Sequence, residues 1–187
     1  MTTVTDDRSL PRGIATPDSS TPVVVHFDGS CQPPAGGGVA GWGFLIEGPG
    51  LHFEEYGLAT RPYSPHSTNN VAEYVGAIRA LEQLRSVCFS GEVIVEGDSQ
   101  LVIRQMNGEY EVRAPHLKAY HAWLHELAKG FRKVEFRWVP REENAVADAL
   151  SKRAVEEAWE DAKRHRPARP VATEEAEANP SGEEDRS

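Results

Sequence analysis

Cysteine is scarce in this chain: Cys31 and Cys88 are the only two among 187 residues. They cannot make a disulfide framework. Long apolar runs are missing as well. Val23-Val24-Val25 is typical of those present, far short of the ~20 residues of a membrane-spanning helix. The first residues, MTTVTDDRSLPRG, hold no apolar signal core. The expectation is a monomeric protein of the reducing cytoplasm with no membrane partner. Basic charge is in deficit too, with 20 Lys and Arg against 29 Asp and Glu and a formal net charge of −9. That balance argues against a phosphate-rich partner, but its distribution does not. Residues 1–20 carry −1 and residues 171–187 carry −5, which leaves −3 for everything between. If several of those carboxylates bind metal, the remaining surface is balanced or mildly basic, and a nucleic-acid substrate stays open.

What is present describes an ordinary globular domain, with 39% hydrophobic and 26% charged residues. Residues 1–20, rich in Ser, Thr, Pro and Asp without a hydrophobic period, are expected to form a disordered arm. Residues 165–187, with prolines and an acidic run, are expected to form a disordered tail. The domain between them is 21–164. Within it, Val23–Asp28 predicts a strand ending at an Asp-Gly turn, followed by strands at 42–46 and 51–56 across Gly48-Pro49-Gly50. Val71, Tyr74, Val75, Ile78, Leu81 and Leu84 form an apolar stripe at helical spacing, which predicts a helix over 70–85. A strand at 92–96, helices at 99–106 and 115–127, a strand at 134–139 and a last helix from Asn144 complete the pattern. The order predicts an α/β fold: a mixed five-stranded sheet, an antiparallel meander followed by parallel strands, with helices packed on it.

Four acids fall at the ends of these elements. Asp28 closes the run VVVHFD, Asp98 follows the strand EVIVE, Glu73 lies in the first turn of the long helix, and Asp148 in the second turn of the last one. Ligand sites of open α/β sheets gather beyond the C-terminal strand ends. Carboxylates brought together there without Lys or Arg beside them repel one another unless a cation sits among them. Oxygen-only ligands favour a hard ion, Mg²⁺ or Mn²⁺. Each acid also has a plain structural role open to it. Asp28-Gly29 suits a turn, Asn70-x-x-Glu73 suits a capping box, Asp98 suits an N-cap, and Asp148 suits the positive end of a helix. Spacing alone does not choose between these readings.

The surrounding segments do. FDGSCQPPAGGGVAGWGF, TNNVAEYVGAIRAL, VEGDSQLVIRQMNGEY and WVPREENAVADALS, in this order, resemble the four signature segments of type 1 ribonuclease H over about residues 23–154. The resemblance implies a ribonuclease H-like fold and an endonuclease that hydrolyses the RNA strand of RNA–DNA hybrids with two Mg²⁺ or Mn²⁺ ions, leaving 5′-phosphate and 3′-hydroxyl ends. It implies that the metal-binding catalytic set is Asp28, Glu73, Asp98 and Asp148. It also implies that Asn69 and Gln100 contact substrate, and that backbone at Gly29 and Ser30 meets the RNA strand. Selection of a hybrid rests on 2′-hydroxyl contacts, because base edges carry no such label.

The chain departs from better-known bacterial members in two places. The loop His that precedes their final Asp is missing, and Pro140-Arg141-Glu142-Glu143 offers Arg141 instead, which cannot serve as a general base but can hold a phosphate. Their basic protrusion is missing too, since residues 107–118 offer only Arg113 and Lys118. Trp123 on the next helix is expected in the core. Two other motifs carry little. Gly36-Gly37-Gly38-Val39-Ala40-Gly41 leads into a strand instead of a helix, unlike a dinucleotide site, and His121 and His125 lack the adjacent Glu of a metalloprotease helix. Alternative readings are a broader nuclease that also cuts double-stranded RNA or RNA–DNA junctions, a non-catalytic hybrid-binding module, and a detached domain of reverse-transcriptase or transposon machinery.

Overall fold

The computed structural model describes residues 21–33 and 37–164, so the expected arm over 1–20 and tail over 165–187 lie outside the described residues. Five strands, β1 (Val23–Gln32), β2 (Val39–Gly48), β3 (Leu51–Leu58), β4 (Glu92–Gly97) and β5 (Lys133–Trp138), form one sheet in the order β3-β2-β1-β4-β5. The β1–β2 and β2–β3 pairs are antiparallel, while β1–β4 and β4–β5 are parallel. Among the described residues four α-helices accompany them, α1 (Asn69–Ser86), α2 (Gln100–Met106), α3 (Pro115–Ala128) and α4 (Ala145–Arg164), with a short 3-10 turn at Arg141–Glu143. This is the mixed sheet that the hydrophobic pattern predicts.

The apolar stripe of α1 is buried along its whole length and packs on Val23, Val25, Phe27, Phe44 and Ile46 of the sheet. Burial of each such side chain contributes on the order of 1.5–3 kcal/mol. On the other face lies α4, against β1, β2 and β3. The two faces use glycine for different contacts. A Cβ on Gly29 would stand 2.2 Å from the Glu73 amide nitrogen, so α1 can approach β1 only because that residue is glycine. On β2, a Cβ on Gly41 would meet Ser151 O at 2.6 Å, and one on Gly43 would meet Leu150 Cβ at 2.5 Å. Alternation along β2 sends Trp42 and Phe44 to the α1 side and these two glycines to the α4 side.

Several boundaries differ from expectation. Asp28-Gly29 is not a turn: β1 runs on to Gln32, with Asp28 opposite Gly43 and Gly29 opposite Trp42. An Asp-Gly pair reads as a turn locally, but here the glycine serves helix packing inside a strand. Helix α1 is capped by Thr68, whose hydroxyl accepts the Val71 N–H at 3.3 Å, and not by Asn70. Ser99, not Asp98, caps α2. Helix α4 starts at Ala145, which puts Asp148 in its first turn. Trp123 is 46% exposed and outside the core, because Leu117, Leu124 and Leu127 form the buried face of α3. His121 and His125 stand side by side with ring centroids 6.3 Å apart, and His121 Nε2 lies 3.3 Å from the Gln105 carbonyl.

Candidate active site

The parallel β1–β4 pairing runs Val23–His26 against Val93–Glu96, so Asp28, just past the paired residues of β1, comes level with Asp98, just beyond the end of β4. Glu73 comes from the second turn of α1 and not the first, because the helix already begins at Asn69, and it is brought in by the close approach at Gly29. Asp28, Glu73 and Asp98 each offer an oxygen within 4.8 Å of the others. Asp28 and Glu73 are buried, and Asp98 is half-buried. The three line a cavity of about 240 Å³ together with Gly29, Ser30, Asn69, Asp148, Arg141 and Lys152. A larger cavity of about 480 Å³ lies between α1 and the α2–α3 connection, but its lining is mainly apolar and gathers no such cluster. Gln100, at the exposed start of α2, does not line the acidic cavity; the remaining predicted site residues do.

The electrostatics divide the four acids. Burial is the main force raising Asp28, from 3.8 to about 7, with repulsion from Asp98 and Asp148 added and the Ser151 hydrogen bond opposing. Glu73 is pushed well above the carboxylate range by burial and by Asp28 and Asp98, against the Gly29 and Asn69 N–H donors. Asn69 Nδ2 donates to Glu73 Oε1 at 3.3 Å, while Glu73 Oε2 is buried without a hydrogen-bond partner. A buried carboxylate oxygen with no donor is costly. Asp148 differs. Burial raises it, but hydrogen bonds from Lys152 and Arg141 outweigh that and hold it below the usual range. The absence of cations beside the acids therefore holds for three of them and not for Asp148.

Two supporting residues escape a reading of the acids alone. Asn144 is buried between the last strand and α4, and its Nδ2 donates to Phe27 O at 2.9 Å and to Asp98 Oδ1 at 3.2 Å. Ser151, fully buried, donates to Asp28 Oδ2. The signal for Ser151 was its place one turn after Asp148 on the same face of α4. A donor set made only of carboxylate oxygens, with one oxygen orphaned, suits a hard divalent cation. Such an ion relieves the mutual repulsion that displaces Asp28 and Glu73.

A profile of the reverse transcriptase-like family matches residues 26–154. Ribonuclease HI of Halobacterium salinarum is 34% identical over 145 residues, covering 78% of this chain and 70% of that protein. A bifunctional protein of Mycobacterium tuberculosis is 39% identical over 109 residues, 58% of this chain, but the match spans only 30% of its length. Its N-terminal RNase H domain, solved as a maltose-binding-protein fusion, aligns with a TM-score of 0.64 at 32% identity, covering 72% of this chain and 99% of that one. LC11-RNase H1, solved in complex with an RNA/DNA hybrid, aligns with the same TM-score at 34% identity, covering 73% and 99%. The profile spans most of the described residues, and the ribonuclease HI relative is 34% identical over 70% of its own length, so this chain belongs to the ribonuclease H family.

Proposed function

We propose that the chain is an endonuclease that hydrolyses the RNA strand of RNA–DNA hybrids, leaving 5′-phosphate and 3′-hydroxyl ends. The observation that carries this reading is the convergence of Asp28, Glu73 and Asp98 within 4.8 Å, with a buried Glu73 oxygen that lacks a donor. Relatives named ribonuclease H and a neighbour solved with RNA/DNA hybrid support the substrate class. Two Mg²⁺ or Mn²⁺ ions, when bound, supply charge neutralisation at the scissile phosphate, a more acidic attacking water and stabilisation of the leaving oxygen. Asp28 would serve both ions, with Glu73 and Asp98 helping to hold one and Asp148 the other.

The chain's own groups do the rest. Asn69 gives one amide N–H to Glu73 and has a second N–H for a substrate hydroxyl. Gly29 and Ser30 present strand backbone at the cavity wall, where the RNA strand runs. Gln100 contacts substrate from outside the cavity, at the exposed start of α2. Arg141 sits 63% exposed on the rim and reaches Asp148, close enough to exchange that carboxylate for a phosphate. It does not act as a base. The protein works as a monomer in the cytoplasm. Among the described residues no helix is long and apolar enough to cross a membrane.

The test is a cleavage assay with end-labelled RNA–DNA hybrid, double-stranded RNA and double-stranded DNA, each with Mg²⁺, Mn²⁺ or chelator. Metal-dependent cuts in the RNA strand of the hybrid, with 3′-hydroxyl ends that a polymerase extends, are expected. Binding of hybrid without cleavage under every metal condition refutes the enzyme reading in favour of a binding module. Equal cleavage of double-stranded RNA establishes the broader nuclease.

A further inference from the structure

We propose that Ser151 is a positioning residue for Asp28: from its seat on α4 it holds one oxygen of the Asp28 carboxylate and so fixes the direction in which the other faces the cavity. The inference rests on the reading of this cavity as a metal site. Ser151 is fully buried, and its Oγ donates to Asp28 Oδ2. The same Oγ lies 3.0 Å from the Asp148 carbonyl. A serine hydroxyl has one hydrogen, whereas an ionised carboxylate only accepts. The Asp148 carbonyl has the helix ladder as its ordinary partner, so the hydrogen belongs to Asp28. One oxygen held in this way leaves the other for the cluster with Glu73 and Asp98.

The position of the hydroxyl follows from the backbone. The buried stripe of α4 is Ala147, Ser151, Ala154 and Val155, and the serine is its single polar side chain. Small residues are required there because α4 rests directly on β2. A Cβ on Gly43 would stand 2.6 Å from Ser151 N, and one on Gly41 would stand 2.8 Å from Ala154 Cβ. Gly43 is also the residue opposite Asp28 in the β1–β2 register. The gap left by its missing side chain is what brings Ser151 beside Asp28. Packing alone is met by alanine, as at 147 and 154. The hydroxyl is spent on the carboxylate. Helix α4 therefore carries Asp148 and, one turn later, the group that aims Asp28, so its seating on the two glycines sets both acids together.

The experiment compares parent, Ser151→Ala and Ser151→Cys proteins. Mn²⁺ binding is followed by titration calorimetry without nucleic acid, thermal melts are run in chelator, and cleavage of RNA–DNA hybrid is measured at saturating Mg²⁺. Loss of an outer partner of a metal ligand typically weakens metal binding or activity by about 10–100-fold. Ser151→Ala is expected to weaken Mn²⁺ binding in that range and lower kcat, with KM for the hybrid within about twofold of the parent. Ser151→Cys, which keeps the shape and a weak S–H donor, is expected to fall between the two. Mn²⁺ binding by Ser151→Ala within twofold of the parent overturns the inference. So does an equal loss in both variants matched by an equal fall in melting temperature, since that pattern belongs to a loosened helix. A parent that binds no Mn²⁺ overturns the metal site and this inference together. A parent that binds Mn²⁺ but cuts no hybrid refutes the nuclease reading and leaves the comparison of the variants decisive for Ser151.

Discussion

Asp28→Asn should make the metal-free protein more stable while removing its activity. Asp28 is buried, and burial with two neighbouring acids moves its ionisation from 3.8 to about 7. The sign follows from proton counts. Below about pH 4 the carboxyl is protonated in folded and unfolded chains alike. Between about 4 and 7 only the folded chain keeps the proton, so each rise in pH favours the unfolded state. Above about 7 both are ionised and the full cost is present. At about 1.4 kcal/mol for each pH unit between the two ionisations, that cost is about 4 kcal/mol. Relaxation around the cluster takes part of it, and a net gain of about 2 kcal/mol is expected for asparagine, within the usual range for single substitutions. Asparagine keeps an oxygen to accept from Ser151, so that hydrogen bond survives. A gain of about 2 kcal/mol raises the melting temperature of a domain of this size by about 4–8 °C. The assay is thermal unfolding in chelator from pH 4.5 to 8.5, repeated with excess Mg²⁺. The gap should open as pH rises and close at the acid end, and added Mg²⁺ should stabilise the parent alone. A variant melting at or below the parent at pH 8.5 in chelator refutes the claim of stored repulsion. Cleavage within tenfold of the parent removes Asp28 from the metal site.

Because Mn²⁺ must displace a proton from Asp28, and Glu73 beside it is raised as well, its affinity should fall by at least about tenfold for each pH unit below about 7; a flat titration series from pH 5.5 to 8 contradicts this. Arg141→Ala should slow single-turnover cleavage by about 10–100-fold, the equivalent of one charge-assisted phosphate contact. Arg141→Lys should recover part of that rate, and parent-like rates in both variants reduce Arg141 to a surface residue. Gly43→Ala should lower the urea midpoint by an amount equivalent to about 1–3 kcal/mol, because the added methyl meets Leu150 Cβ at 2.5 Å and the Ser151 nitrogen at 2.6 Å. An unchanged midpoint shows that α4 can shift without cost.

Periodicity made α1 legible from six apolar positions, all buried in the structure. The order of short strands and helices made the mixed sheet legible as well. What local pattern could not reveal was the purpose of the glycines. Gly29 beside Asp28 has the chemistry of a turn, and only the crossing of α1 over β1 explains why it sits inside a strand. The same applies to Thr68. Asn70-x-x-Glu73 fits a capping box as well as Thr68 fits a cap, and the start of α1 at Asn69 goes with its close crossing of β1 at Gly29, which no local spacing encodes. Among the acids, the four segment motifs pointed to the proposed set, while the donors beside it, Asn144 and Ser151, lie within the last motif without any signal of their own as donors.

The division of charge in the cavity has a consequence for how the site loads. Asp28 and Glu73 are displaced upward because burial and like charge surround them, so a cation entering between them and Asp98 meets groups that gain from its arrival. Asp148 begins in the opposite state, satisfied by Arg141 and Lys152, both exposed at the rim. Ion pairs at such exposed positions contribute little, about 0–1 kcal/mol each. They are therefore easily exchanged. A phosphate brought to the rim gives Arg141 and Lys152 a new partner and releases the Asp148 carboxylate toward the cavity. For the proposed metal site these charges predict ordered loading: an ion among Asp28, Glu73 and Asp98 would bind without substrate, whereas full engagement of Asp148 would await the phosphate. Calorimetry of the substrate-free protein should then find one Mn²⁺ site of higher affinity. Asp148→Asn should leave that site nearly unchanged while abolishing cleavage. Loss of the high-affinity site in Asp148→Asn would show instead that all four acids act as one unit from the start.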